Sequence, residues 1–311
     1  FMVPAAAPMT MAWMNAIGSP MRFMPATIDK PGKAMAMALH GRWAAGPQPF
    51  RGADAWMLVG ANPIVSKSIG APPHNPSGAL HEAVKSGMQI IVIDPRRTEA
   101  ARLAAVHLQC RPGEDPTVIG GLIRAILAGA LHDQAFVREH ATGVEALRQA
   151  VEPFTPEYVE RRADVPRELL LRAARIFATG RQGFAVVGTG PNMAPRGTLT
   201  EYLTLCLNTL CGRWLRAGEP LPNPGVLTPA THPRAQPIAP VPAWGFGERL
   251  RVRGFTNTAA GLPTAALADE ILLEGSGQVK ALICVGGNPV AAWPDQQRTA
   301  AAMKRLELLV S

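Results

Sequence analysis

Apolar positions along this chain fall into short solid runs separated by longer stretches with helical spacing. The runs are Ala55 to Val59 (AWMLV), Gln89 to Ile93 (QIIVI), Val106 to Cys110, Phe184 to Val187 (FAVV), Ala281 to Val285 (ALICV) and Leu306 to Val310. Such runs read as strands buried on both faces of a parallel sheet. Between them lie helical patterns. Ala79 to Ser86 closes on Gly87, and Thr98 to Ala105 is a short one. Thr117 to Leu131 is apolar nearly all round, which predicts a helix buried between layers. Asp164, Pro166 and Gly180 bracket a helix at Arg167 to Thr179. Thr200 to Leu210, Pro263 to Glu274 and Asp295 to Lys304 complete the set. Strands alternating with crossover helices predict an α/β fold of two doubly wound, mainly parallel Rossmann-like units, the second truncated.

At 311 residues, about two domains are expected. Residues 1–50 are rich in Met and Pro and show little periodicity beyond a helix at Gly32 to Leu39. The first unit is expected at 51–180 and the second at 181–311. A proline-rich excursion, 220–242, interrupts the second and holds eight prolines. An internal echo supports the pairing of units. GANP follows AWMLV, and GGNP follows ALICV, so buried strand, glycine and Asn-Pro turn recur in the same order.

The chemistry sits in the turns after the strands. Gly60 and Gly188 stand at strand tips, where glycine lets a ligand approach the backbone, and a following helix offers N–H groups to phosphate. Asn62 and Asn288 can donate and accept, while Pro63 and Pro289 fix their turns. Asp94, before Pro95, Arg96 and Arg97, lies where doubly wound sheets place a nucleotide-reading acid. Asp115 follows Arg111-Pro112-Gly113-Glu114. Both aspartates suit paired donors such as ribose hydroxyls or the N–H edge of guanine, and Arg96, Arg97 and Arg111 add charge for a pyrophosphate. Ordinary surface turns are the competing reading, with Asp115 or Thr117 as a helix cap. The nearest approach to G-x-G-x-x-G is Gly188-x-Gly190-x-x-Met193, which lacks the third glycine and has Pro191 inside.

Lys plus Arg exceed Asp plus Glu by eight, so an anionic partner is expected. Aromatics are only 5%, and no basic cluster is interleaved with rings, which argues against nucleic acid. Cys110, Cys206, Cys211 and Cys284 follow no metal or iron–sulfur spacing and read as free thiols; the compartment stays open. No apolar run reaches about 18 residues, so no membrane span is expected. The first 21 residues are uncharged but lack the basic start of a signal peptide. The chain begins at Phe1, which reads as a fragment.

In this order GANP, IVIDPRRTEAA, RPGED, GTGPNM and VKALICVGGNP resemble the molybdopterin oxidoreductases. Formate dehydrogenases, nitrate reductases and dimethyl sulfoxide reductases are members of that family. Phe154 to Ala178 is similar to the family's connecting stretch. The resemblance implies bis-molybdopterin guanine dinucleotide with Mo or W as cofactor. It implies that Gly60, Asn62, Pro63, Asp94, Pro95, Arg96, Gly113 and Asp115 bind one guanine dinucleotide arm. Gly188, Gly190, Asn192, Gly286, Asn288 and Pro289 would face the cofactor from the other unit. Two departures stand out: neither an iron–sulfur region of close cysteines nor the family's β-barrel domain is expected within this chain. The expectation is therefore the central part of a longer protein, with its iron–sulfur region or electron-transfer partner outside. For the metal, the family's ligand window maps to Phe23 to Pro31. There Asp29 is the candidate oxygen ligand and catalytic residue, with Thr27 second; Asp29 also reads as a helix N-cap. The implied activity is two-electron oxygen-atom or hydride transfer on a small substrate. The alternative is a non-catalytic scaffold relative, as in the large iron–sulfur subunit of respiratory complex I. The acidic turns favour the enzyme.

Overall fold

Four of the six apolar runs meet in one sheet. In the computed structural model, which describes residues 6–67, 69–219 and 234–311, the chain forms two compact units. Ala36–Val241 make one; Phe1–Met35 with Pro242–Ser311 make the other.

In the first unit, β1 (Ala55–Val59), α1 (Pro76–Lys85), β2 (Gln89–Ile93) and β3 (Val106–Leu108) follow one another. Then come α2 (Asp115–Ala128), α3 (Pro156–Ala163), α4 (Arg167–Thr179), β4 (Gly183–Val187) and α5 (Gly197–Leu210). The four strands are parallel in the order β3-β2-β1-β4. Val59 lies opposite Ile93 on one side and Val187 on the other. Alternate side chains serve two cores. Met57, Val59, Ile91, Ile93, Leu108 and Val187 pack on α2, α4 and α5. Trp56, Leu58, Ile90 and Val92 pack with Leu80, Ala100 and Ala101 on the opposite face. Both faces being buried is why these strands are solid apolar runs. α2 is buried on nearly every side, as its composition predicted.

Several expectations change. The strand 183–187, placed in a second unit by the restart of the pattern, instead hydrogen-bonds to β1. The division at 181 is therefore not where the chain separates, because a strand's own apolarity does not name its neighbour. The helix expected at Thr98 to Ala105 shrinks to one 3-10 turn, Ala101–Leu103, started by Thr98 Oγ1 accepting from the Ala101 N–H at 3.1 Å. Neither Asp115 nor Thr117 caps α2; Glu114 is the N-cap residue and Asp115 is the first helical residue. Asp164 closes α3 at φ +64° rather than starting α4. The C-terminus of α4 is held by Arg213, only 1% exposed, whose guanidinium donates to the carbonyls of Gly180 (2.7 Å) and Phe177. Of the proline-rich excursion, residues 220–233 lie outside the described residues; Pro237–Ile238 pair with Arg42–Trp43.

In the second unit, β5 (Trp244–Arg249) pairs antiparallel with β6 (Thr256–Thr258). α6 (Leu267–Leu272), β7 (Ala281–Ile283), α7 (Gln296–Arg305) and β8 (Leu308–Val310) follow, with β7 and β8 parallel. Leu267, Ala268, Ile271 and Ala302 form a small core. Ile283, Leu308, Leu309 and Val310 stay between 43% and 52% exposed. Among the described residues, no helix is long and apolar enough to cross a membrane.

Candidate functional site

Because β1 to β4 are parallel, their carboxyl ends share one edge, and the turns singled out in the sequence gather there. β1 and β4 are neighbours, and chain direction across the sheet reverses between them. In open parallel sheets that switch point is where a crevice admits a ligand.

At the switch point the two glycine turns are pressed together. The Gly188 N–H donates to Val59 O at 2.8 Å. A Cβ on Gly188 would lie 2.1 Å from Gly60 O, and one on Gly60 2.2 Å from Pro191 Cδ. Gly60 also has φ +54°. Both glycines are thus required for this approach of backbones. Gly190 differs: a Cβ there would meet nothing within 4 Å. Asn192 is buried and donates to Glu201 Oε1 at 2.6 Å. The expectation that Gly188, Gly190 and Asn192 face the site from another unit is corrected: they follow β4, in the same compact unit as Gly60.

One strand over, the Asp94 carboxylate accepts from the Arg96 N–H at 2.8 Å, and Asp94 O accepts from His107 Nε2 at 2.9 Å. Pro95 O accepts from Gln109 Nε2. Arg96 is largely exposed and lies 3.8 Å from Glu99. Glu99 in turn accepts from Asn62 Nδ2 at 2.6 Å, leaving Asn62 Oδ1 buried without a partner.

The β3 turn carries a buried, strongly shifted carboxyl. Asp115 is 4% exposed, and its Oδ1 has no partner. Burial pushes this carboxyl up to about 6, with the charges of Asp94 and Glu114 adding to the effect. It is thus not the simple acceptor-only carboxylate read from sequence. The neighbouring Cys110 thiol is pushed up to about 12 by burial and by Asp115, and is inert. For Glu114, burial works upward, but bonds from Thr117 Oγ1 (2.6 Å) and Arg162 (2.9 Å), with Arg196 nearby, hold it below the usual range. Arg196 also donates to Gly113 O at 3.0 Å, tying the β4 loop to the β3 turn. A cleft of about 470 Å³ opens beside this turn, lined by Arg111, Pro112, Glu114, Tyr158, Arg161 and Arg162.

Residues 35–311 match the family model described as molybdopterin oxidoreductase. The chain belongs to that family. A probable oxidoreductase, YoaE, of Bacillus subtilis is 27% identical over 73% of this chain and 32% of its own length. The F420-dependent formate dehydrogenase subunit alpha of Methanocaldococcus jannaschii is 25% identical over 83% and 38%. Formate dehydrogenase H of Escherichia coli is 31% identical over 51% and 21%. The chain therefore spans well under half the length of these relatives. Acetylene hydratase from Pelobacter acetylenicus shares the fold with TM-score 0.74 at 21% identity, over 95% of this chain and 43% of that one.

Membership in the molybdopterin oxidoreductase family implies a molybdenum or tungsten pterin cofactor, and the edge suits a polar group that brings both hydrogen-bond donors and negative charge. Asn62 and Asp115 each hold a buried oxygen without a partner. Gly113, at φ +83°, and Gly190 leave open space where a side chain would stand. Three arginines line the adjoining cleft. Other candidates are not part of this edge. Gly286, Asn288 and Pro289 follow β7 in the second unit, where Asn288 caps the short helix Pro289–Ala292. Asp29 lies in that unit too, half exposed and 3.9 Å from Lys30. Among the described residues no group of three or more His, Cys, Asp or Glu could hold a metal. Glu99, Glu114 and Arg196 were missed in the sequence. Their distant partners, Asn62, Arg162 and Gly113, lie 37 to 83 residues away, and only the topology brings them together.

Proposed function

We propose that this chain is the cofactor-cradling part of a molybdenum or tungsten oxidoreductase, built on Rossmann-like units and carrying bis-molybdopterin guanine dinucleotide. The observation that carries the reading is the convergence of Gly60, Asn62, Asp94, Gly113, Asp115, Gly188 and Gly190 on one edge of one sheet, around its switch point. When bound, the metal of that cofactor supplies two-electron chemistry, as oxygen-atom or hydride transfer on a small substrate. The chain's own residues hold and orient. Asp94 and Asp115 accept from the guanine or ribose donors. The glycines keep side chains away from the dinucleotide, and Arg111, Arg161 and Arg162 supply positive field for its phosphates. By the family resemblance, Asp29 is the candidate protein ligand to the metal, and Gly286, Asn288 and Pro289 are candidate cofactor contacts. Electrons leave through a partner or an iron–sulfur region elsewhere in the longer protein.

Fold likeness to a hydratase is a reminder that this architecture serves more than one reaction, so the test is chemical. The full-length protein, purified from a host that makes the cofactor, is analysed for metal and for released guanine nucleotide. Near-stoichiometric Mo or W with GMP is the expected result. Neither metal nor nucleotide in the folded full-length protein would overturn the enzyme and leave the scaffold relative.

A further inference from the structure

Asn62 and Asn288 occupy equivalent places in two copies of one local motif, yet their side chains are used differently. Each follows a turn with a left-handed glycine, Gly60 at φ +54° and Gly286 at φ +68°. Each is the N-cap residue of a four-residue helix opened by proline, Pro63–Ser66 and Pro289–Ala292. Asn288 Oδ1 accepts from the Val290 N–H at 3.1 Å, an ordinary capping bond. Asn62 makes no such bond. Its Nδ2 donates to Glu99 Oε2 at 2.6 Å, and its Oδ1 is buried with no partner.

Glu99 accounts for the difference. Hydrogen bonds from its own N–H and from Asn62, then the charges of Arg96 and Arg102, hold its carboxyl below the usual range. An ionised carboxylate only accepts, so the Asn62 amide has one workable orientation toward it; reversed, two acceptors would meet at bonding distance. A buried carbonyl oxygen left without a donor carries a desolvation cost that a bound N–H or O–H would relieve. A phosphate oxygen would not relieve it, being an acceptor itself.

We infer that Glu99 is a positioning residue that holds Asn62 with its carbonyl oxygen toward the ligand, so that the group bound at this turn is a hydrogen-bond donor and not a phosphate. The inference rests on the cofactor reading above and deepens it: the Gly60–Pro63 turn receives an N–H or O–H edge of the dinucleotide, and the phosphates lie against other turns of the edge.

The test uses full-length protein made without cofactor, titrated by calorimetry with GDP and separately with inorganic pyrophosphate. Glu99→Gln can donate or accept, so it frees the Asn62 amide to turn. GDP affinity should then fall by about tenfold, the scale of one lost hydrogen bond to a buried group, while pyrophosphate affinity holds or rises. Asn62→Ala should weaken GDP comparably, and adding Glu99→Gln to it should change nothing further. Unchanged GDP affinity in Glu99→Gln, or equal losses for GDP and pyrophosphate, would overturn the positioning role alone. No GDP binding by the unsubstituted protein would overturn the cofactor reading and this inference with it.

Discussion

A carboxyl buried like that of Asp115 favours its protonated form, and this makes the fold's stability depend on pH in a definite direction. Its folded pKa, about 6, lies above the ordinary 3.8. The stability it contributes is therefore fully present below the unfolded pKa and is lost as pH rises through about 6. Asparagine has nearly the same shape and no charge to desolvate. In cofactor-free protein, Asp115→Asn should raise the unfolding free energy at about pH 7.5 by roughly 2 kcal/mol and change it little near pH 4. Urea melts at the two pH values check this. The same variant should load less guanine nucleotide, because the site loses an acceptor; a residue kept at a cost to stability is the usual mark of a binding role.

Helix ends decide the next scale. Arg213 sits fully buried with its guanidinium on the last carbonyls of α4, against the ring of Phe177. Arg213→Met should therefore destabilise the first unit by about 3 kcal/mol, read as a lowered denaturation midpoint, because buried carbonyls lose charged donors. Arg213→Lys should recover only part, since one ammonium does not span two carbonyls as a planar fork does. The sequence showed where α4 stops, through Gly180, but not what stops it. More generally, the strands and α2 were legible because burial on both faces leaves no polar residue to hide the pattern. The turns after β1 to β3 were legible because glycine, proline and aspartate have few other uses there. The pairing of β4 with β1 was not, since FAVV carries no mark of its neighbour. Nor was Glu99: one more charge in a short helical stretch reads as solvated surface until the fold sets it beside Asn62.

Across the molecule, apolar surface is distributed unevenly. The sheet of the first unit is covered on both faces. In the second unit, by contrast, β7 and β8 leave Ile283, Leu308, Leu309 and Val310 between 43% and 52% exposed. Exposed parallel strands of this composition are sticky, both through their faces and through unpaired backbone. The 311-residue chain alone should self-associate with rising concentration, and Leu309→Lys should reduce that association without lowering the melting temperature. Sedimentation velocity over a concentration series reads the first, and a thermal melt the second. Persistent association in Leu309→Lys would place the contact elsewhere.

The contact of Gly60 with the β4 turn has a consequence for recombination among relatives. The two turns are more than a hundred residues apart in sequence, yet a methyl on Gly188 would overlap the carbonyl of Gly60, and one on Gly60 would overlap Pro191. A chimaera with a crossover between residues 63 and 183 therefore joins two halves that meet at this contact: the first must bring glycine at 60 and the second glycine at 188, or the hybrid meets the overlap. Shuffled libraries should accordingly be depleted of such mismatched joins, and the two turns should be moved between scaffolds as a pair.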